Sequence, residues 1–532
     1  MKYICCFILF TLTALCGVAA GFSTIEKWGV FELELKGPAG GNPFLEVRFG
    51  AVFTDGNTTV TVPGFYDGDG IYKIRFSPGA TGDWRYETKS NRWELTGKLG
   101  KFIVTSPASG NHGPVQVQNT FHFAYADGTP FKQVGTTIYN WTDAPEELQE
   151  ETLRTLAASP FNKARMLLTP QPTPYQNHFA PPRWPFAGTP PYAWDFSRFN
   201  PDYFRHFENR IRQLSDLGIQ ADVILFNPYG KFGFETMDAV ADERYVRYVV
   251  ARLGAYRNIW WSLANEYDFL RTKTEADWDR LGNLVQECDP HQRLRSIHNG
   301  AIIYDHGKSW ITHVSMQNGA AVEEPGRAEM YRGVWRKPVV YDEVKYEGVT
   351  QYRWGNLTGQ EMVHRFWCGT VAGTYVGHGD YFTTVEEDTW TSFGGKLSGQ
   401  SAPRLAFLRK VLEESPAQGI DPIDKWQDVN TGGVPGLYYL TYFGQATPLE
   451  WRFRLYKNGV IDGQHYQVEI IDTWDMSITP VEGEFVTKKL DNYHYVDVAE
   501  RVVKLSGKPG MAVRVRRIGQ DGKPAATVLP ND

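Results

Sequence analysis

The polar and apolar positions divide the chain into three stretches of different rhythm. From Thr24 to about Thr105 short alternating runs, LEVRFGAVF, TTVTVPGFY, IYKIRFS, DWRYETKS and GKFIVTS, are separated by TDGN, DGDG and SPGATGD. Alternation at that spacing, with Gly and Asp in the turns, predicts an antiparallel β-sandwich of immunoglobulin-like type. The run SPASGNHGPV closes it as a linker. Beyond it, apolar runs alternate with amphipathic helical patterns such as PEELQEETLRTLAAS, PDYFRHFENRIRQLSDLG and QEMVHRFWCGTVA, the mark of a parallel sheet. Strands are expected at 132–138, 163–168, 220–226, 258–266, 294–298, 313–316, 338–343 and 373–376. Eight strands with intervening helices suit a TIM (β/α)8 barrel. After Asp421 strict alternation returns in GLYYLTYFG, WRFRLYK, HYQVEIID and MAVRVRRIG, predicting a second β-sandwich. The expected fold is thus an α/β TIM barrel flanked by two sandwiches, with boundaries at 21–118, 119–420 and 421–532.

The first twenty residues follow a different rule. MKYICCFILFTLTALCGVAA has a basic start, an apolar middle and a small-residue end, the pattern of a secretory signal peptide. It implies a secreted or periplasmic protein. Lipid anchoring at Cys16 fits less well, because Leu15 before it is not a small residue. Cleavage after Ala20 leaves only Cys288 and Cys368, too few for a disulfide framework or a thiolate metal site. The formal net charge of −6 disfavours a nucleic-acid partner. No apolar run is long enough to be a membrane span, and oligomeric state stays open.

Candidate chemistry collects at predicted strand ends. NIWWSLANEYD begins as a buried strand and ends at Asn265 and Glu266, and KPVVYDEVKYEG does the same at Asp342 and Glu343. The C-terminal ends of barrel strands gather the reacting groups, so both Glu residues stand where catalytic carboxylates would. Glu347 is the rival to Glu343, with Asp342 behind it. Asn265 and Glu266 would point to opposite faces of an ideal strand, so both reach one site only if the strand bends there.

The Asn-Glu pair resembles the signature of the retaining (β/α)8 glycosidase clan, the family-5-like enzymes, and the DGTPF…GTT segment resembles the approach to the barrel in apiosidase-like members. That resemblance implies a glycosidase without a cofactor or metal, with Glu266 as acid/base and Glu343 as nucleophile. It implies that Arg165 orients the nucleophile and Asn265 bonds the hydroxyl beside the reacting carbon. A structural ion pair is the plain alternative for Arg165. His298, His313, Gln317, Tyr375 and His378 at the ends of strands five, six and eight are candidates for a polar carbohydrate-binding pocket, and Trp141 is a further substrate-binding candidate. Trp390 is the candidate for a tryptophan often found after strand eight. The Pro-rich insertion 169–200 follows strand two, so it is expected to wall the cleft, with Trp184, Tyr192 and Trp194 as sugar-stacking candidates. An exo-acting enzyme on plant or algal glycans is the expectation. The competing readings are a non-catalytic carbohydrate- or matrix-binding protein and a transglycosidase.

Overall fold

The computed structural model describes residues 23–171, 180–191, 193–230, 232–317, 321–382, 389–424 and 428–519. Its centre is a parallel sheet of eight strands: β1 (Gly135–Thr137), β2 (Lys163–Leu167), β3 (Gln220–Phe226), β4 (Ile259–Ala264), β5 (Arg295–Ser296), β6 (Val314–Gln317), β7 (Val339–Glu343) and β8 (Tyr375–His378). Neighbours run β5-β4-β3-β2-β1-β8-β7-β6. The Thr312 N–H donates to the Arg295 carbonyl at 2.9 Å across the seam between β5 and β6, which makes the sheet barrel-like. All seven residues of QADVILF in β3 are buried, because such a strand is covered on both faces.

Helices follow the strands: α1 (Glu146–Ala157), α2 (Pro201–Asp216), α3 (Ala239–Leu253), α4 (Glu275–Cys288), α5 (Pro325–Trp335), α6 (Gly359–Val371) and α7 (Ser401–Glu413). Local sequence fixes where they start. Thr274 with Asp277 and Thr358 with Glu361 form capping boxes at α4 and α6, satisfying backbone donors that a helix start leaves bare. The end of α6 also corrects one expectation. Gly373 takes φ +70°, a left-handed helix stop, so β8 begins at Tyr375 rather than at 373. At the other end β4 stops at Ala264, two residues short of the expected limit.

Two β-rich parts flank the barrel. The seven-stranded N-terminal sheet curls over itself, so that Phe31 stacks on Phe102 with ring centres 4.0 Å apart. A buried charge cluster ties it to the barrel. Arg75 lies 2.8 Å from Glu208 on α2, and Arg252 on α3 lies 2.8 Å from Asp67 and 2.5 Å from Glu208. The nine-stranded C-terminal sheet packs against α6, with Tyr442 beside Trp367 at 5.6 Å. Cys288 and Cys368 are free thiols. Among the described residues no helix is long and apolar enough to cross a membrane.

Candidate active site

The two carboxylates reach the barrel mouth by two backbone irregularities. After β4 the chain turns at Glu266, whose φ of +43° and ψ of +52° lie in the left-handed region, so Asn265 and Glu266 need not point to opposite faces. This is the bend expected from the sequence. On β7 the register with β6 slips: Met316 pairs with Tyr341 and Gln317 with Glu343, leaving Asp342 as the extra residue. Such a bulge lets Asp342 and Glu343 both turn inward.

A continuous chain of hydrogen bonds joins the two. Glu343 Oε1 accepts from the Tyr139 hydroxyl and from Arg165 Nη1 at 3.1 Å, and Oε2 accepts from the Tyr346 hydroxyl at 2.8 Å. The other arm of Arg165, Nη2, donates to Asn265 Oδ1 at 2.6 Å. Asn265 Nδ2 donates to the Tyr229 hydroxyl oxygen at 2.8 Å, and Tyr229 donates to Glu266. One N–H of the Asn265 amide remains over for a further partner. His298 Nε2 approaches Glu343 Oε1 obliquely at 3.3 Å, an electrostatic contact without hydrogen-bond alignment.

The ends of this chain differ electrically. Burial and the charge of Glu343 raise the Glu266 carboxyl to about 7, against the opposing hydrogen bonds from Tyr229 and Gln317. Burial also opposes ionisation of Glu343, but His298, Arg165 and Tyr139 outweigh it and hold this carboxyl well below the usual range. One group is therefore poised to carry a proton near neutrality while the other stays charged.

The structure sorts the other candidates. Arg165, Asn265, His298 and Gln317 belong to this group. Tyr375 does not: its hydroxyl lies 3.1 Å from His122 Nδ1 and its ring packs on Phe123, at the start of β8 rather than its end. His313 sits just before β6, edge-on to Trp260 at 5.2 Å, in the filling of the barrel. His378 bonds Thr136 through Nδ1 at 3.1 Å and stacks on Phe161. Trp141 and Trp390 are core residues, their indoles bonded to Met166 Sδ and Thr136 Oγ1. Trp184 and Trp194 meet each other at 5.3 Å and join Phe232 and Phe234 in one aromatic cluster. Tyr192 lies outside the described residues. Glu347 is occupied elsewhere, accepting the Gln400 N–H at 2.6 Å and the Ser401 N–H at 3.1 Å at the start of α7. That is how a helix N-terminus holds an anion. Sequence reasoning missed Tyr139, Tyr229 and Tyr346. Their available signal was a tyrosine two or three residues past the end of β1, β3 and β7.

Comparison with known proteins agrees with this geometry. Residues 117–416 match the model of the apiosidase-like catalytic domain, and residues 24–91 and 426–516 match two domains of unknown function, DUF5060 and DUF5605. A candidate glycoside hydrolase of known structure from Bacteroides vulgatus ATCC 8482 is 38% identical, with a TM-score of 0.90, covering 93% of this chain and 100% of its own. A family 5 glycoside hydrolase from the same organism shares the fold at 16% identity and TM-score 0.56, covering 76% and 93%. A further structure described as a glycoside hydrolase does so at 15% and 0.57, covering 78% and 99%. A search of curated proteins finds no match. The chain belongs to the apiosidase-like family of glycosidases, and its eight-stranded barrel is the part that matches the family's catalytic domain.

Proposed function

We propose that the protein is a secreted retaining glycosidase working by double displacement, with Glu266 as acid/base and Glu343 as nucleophile. The observation that carries this reading is the unequal environment of two carboxylates joined through Arg165, Asn265 and Tyr229. In the first step the protonated Glu266 gives its proton to the leaving oxygen as Glu343 attacks the anomeric carbon. Loss of the Glu343 charge on forming the ester removes the largest charge acting on Glu266, which lowers the Glu266 pKa and suits it to deprotonate the incoming water. Direct attack requires the carboxyl groups to stand about 5–5.5 Å apart across the bound sugar, against about 6.5–9.5 Å for an inverting enzyme.

Finer features belong to the same proposal. The aromatic cluster of Trp184, Trp194, Phe232 and Phe234 adjoins a hollow lined by Gln171, Asn227 and Tyr229. Tyr229 lines that hollow and bonds Glu266, so the cluster is read as a wall of the cleft, which supports exo-action; the plant or algal glycan rests on the resemblance to apiosidase-like members. Both flanking sheets are read as β-sandwiches, the N-terminal one of immunoglobulin-like type and with a packing role, for which the charge cluster around Arg75 and Arg252 is the support. The N-terminal twenty residues support export.

The test uses aryl glycosides of varied sugar with the parent and Glu343→Ala. The variant should be inactive, partly rescued by azide, and the parent's first product should keep its anomeric configuration by proton NMR. Inverted product, or an active Glu343→Ala beside a dead Glu347→Ala, overturns the assignment. Internal cleavage of a polymer before any monosaccharide appears overturns exo-action alone.

A further inference from the structure

Behind Glu343 lies a second line of polar groups that the two-carboxylate mechanism does not use. Asp342 Oδ1 is 2.6 Å from Lys163 Nζ, which also lies 2.7 Å from Asp222 on β3. Asp342 Oδ2 accepts the Ser315 hydroxyl at 2.5 Å, and Ser315 Oγ is 3.0 Å from His298 Nδ1. His298 Nε2 then faces Glu343 Oε1. Ser315 and His298 have no solvent exposure, and Asp342 has almost none.

Counting hydrogens along this line constrains it. Burial opposes ionisation of Asp342, but the charges of Lys163 and Arg165 outweigh it, so the carboxylate is charged and can only accept. Ser315 has one hydrogen and gives it to Asp342. Its oxygen therefore meets His298 Nδ1 with a lone pair, so Nδ1 carries hydrogen. A neutral imidazole has no second hydrogen, and a bare Nε2 would turn its lone pair toward a carboxylate oxygen 3.3 Å away. The contact becomes attractive only if Nε2 also carries hydrogen. The other groups around His298 do not replace it. Burial lowers His313 and His306 to about 3, leaving them neutral. Arg165 already divides its donors between Glu343 and Asn265, and Lys163 between two aspartates.

We propose that Asp342, acting through Ser315, is a positioning residue that keeps both ring nitrogens of His298 hydrogen-bearing and so sets a cation against the nucleophile in the resting enzyme. The line Asp342–Ser315–His298–Glu343 places alternate charges through β7, β6 and β5, all within the barrel. The inference rests on Glu343 acting as the nucleophile.

Ser315→Ala breaks the line and leaves the Asp342–Lys163 pair in place. Without the hydroxyl, Nδ1 has no partner that fixes hydrogen on it. Histidine-15N NMR at about pH 6, assigned with His298→Asn, should show hydrogen on both ring nitrogens in the parent and on one in Ser315→Ala, whereas a merely structural role would lower kcat and leave the hydrogen count unchanged. Ser315→Thr, which keeps the hydroxyl, should restore both hydrogens. If Ser315→Ala does not fold, Asp342→Asn should give the same change. A parent His298 with one bare nitrogen, or a Ser315→Ala variant that keeps both hydrogens, overturns the proposal. A parent that hydrolyses no aryl glycoside overturns the glycosidase reading instead, and the NMR result still judges the charge state of His298.

Discussion

Tyr229→Phe tests how the Glu266 proton is held. The substitution removes one oxygen that donates to Glu266 and accepts from Asn265 Nδ2, and it changes little else in volume. That hydrogen bond favours the carboxylate, so it holds the Glu266 pKa below where burial and the charge of Glu343 would set it. Removing it must raise the pKa further. A hydrogen bond to a charged group is worth about 1.5–3 kcal/mol, and a pKa unit is about 1.4 kcal/mol, so the upper bound is about 1–2 units. Water entering the space would replace part of it, which makes about 1 unit the expected shift. Because the first step needs Glu266 protonated, the basic limb of kcat/KM should move up from near pH 7 to near pH 8. The assay is kcat/KM against pH on an aryl glycoside with a poor leaving group, where proton donation limits the rate. A basic limb that stays in place, or moves down, refutes the role given to Glu266 and Tyr229. A lower plateau without a shift would mean that Tyr229 only shapes the cleft.

Three further outcomes follow from the same geometry. Glu266→Ala should lose about 10²–10⁴-fold on poor leaving groups yet keep a rapid first step on activated ones such as dinitrophenyl glycosides, seen as a burst of phenol. Glu347→Ala should leave the N–H groups of Gln400 and Ser401, at the start of α7, without their acceptor, costing about 1–3 kcal/mol and lowering the apparent melting temperature, while both limbs of the pH profile stay where they are. Dialysis against EDTA should leave turnover intact, because the mechanism assigns no step to a Lewis acid; loss restored by one divalent ion would contradict that.

The barrel and its two carboxylates were legible in the sequence because both are local properties. An apolar run marks a strand, and a polar residue ending it marks the rim, whatever the rest of the chain does. Even the bend at Asn265 and Glu266 followed from a local conflict between the strand's two-residue period and two side chains needed at one site. The partners of those side chains were not local. Tyr139, Tyr229 and Tyr346 come from three separate loops, and nothing in TTIYN, FNPYG or VKYEG says that their hydroxyls point at glutamates. Tyr375 was misplaced because the start of β8 depends on where Gly373 stops α6, a matter of two residues that moves a side chain from the top of the barrel to the bottom. Trp141 and Trp390 look the same in sequence as tryptophans of a binding cleft, and only packing shows them to be core. Glu347 could be told from Glu343 only by the start of α7, which arrives more than fifty residues later.

The unequal protonation of the two carboxylates traces to the contacts of Glu343 with His298 and Arg165, and the guanidinium is the one of the two that links both ends. Arg165 on β2 stands between β1 and β3, and the fork of its side chain gives one nitrogen to Glu343 and the other to the amide of Asn265. Glu343 thus receives a full positive charge by direct contact. Glu266 meets the same cation only through a neutral amide and a neutral phenol, each of which passes on a hydrogen bond but not a charge. An amide suits that position because it can accept from Arg165 and donate to Tyr229 at once. An aspartate there could accept from both sides but donate to neither, and would set a third anion between the two glutamates. Two chemically identical side chains at the mouth of one barrel are in this way given opposite protonation, by contacts that stand in place before any substrate arrives.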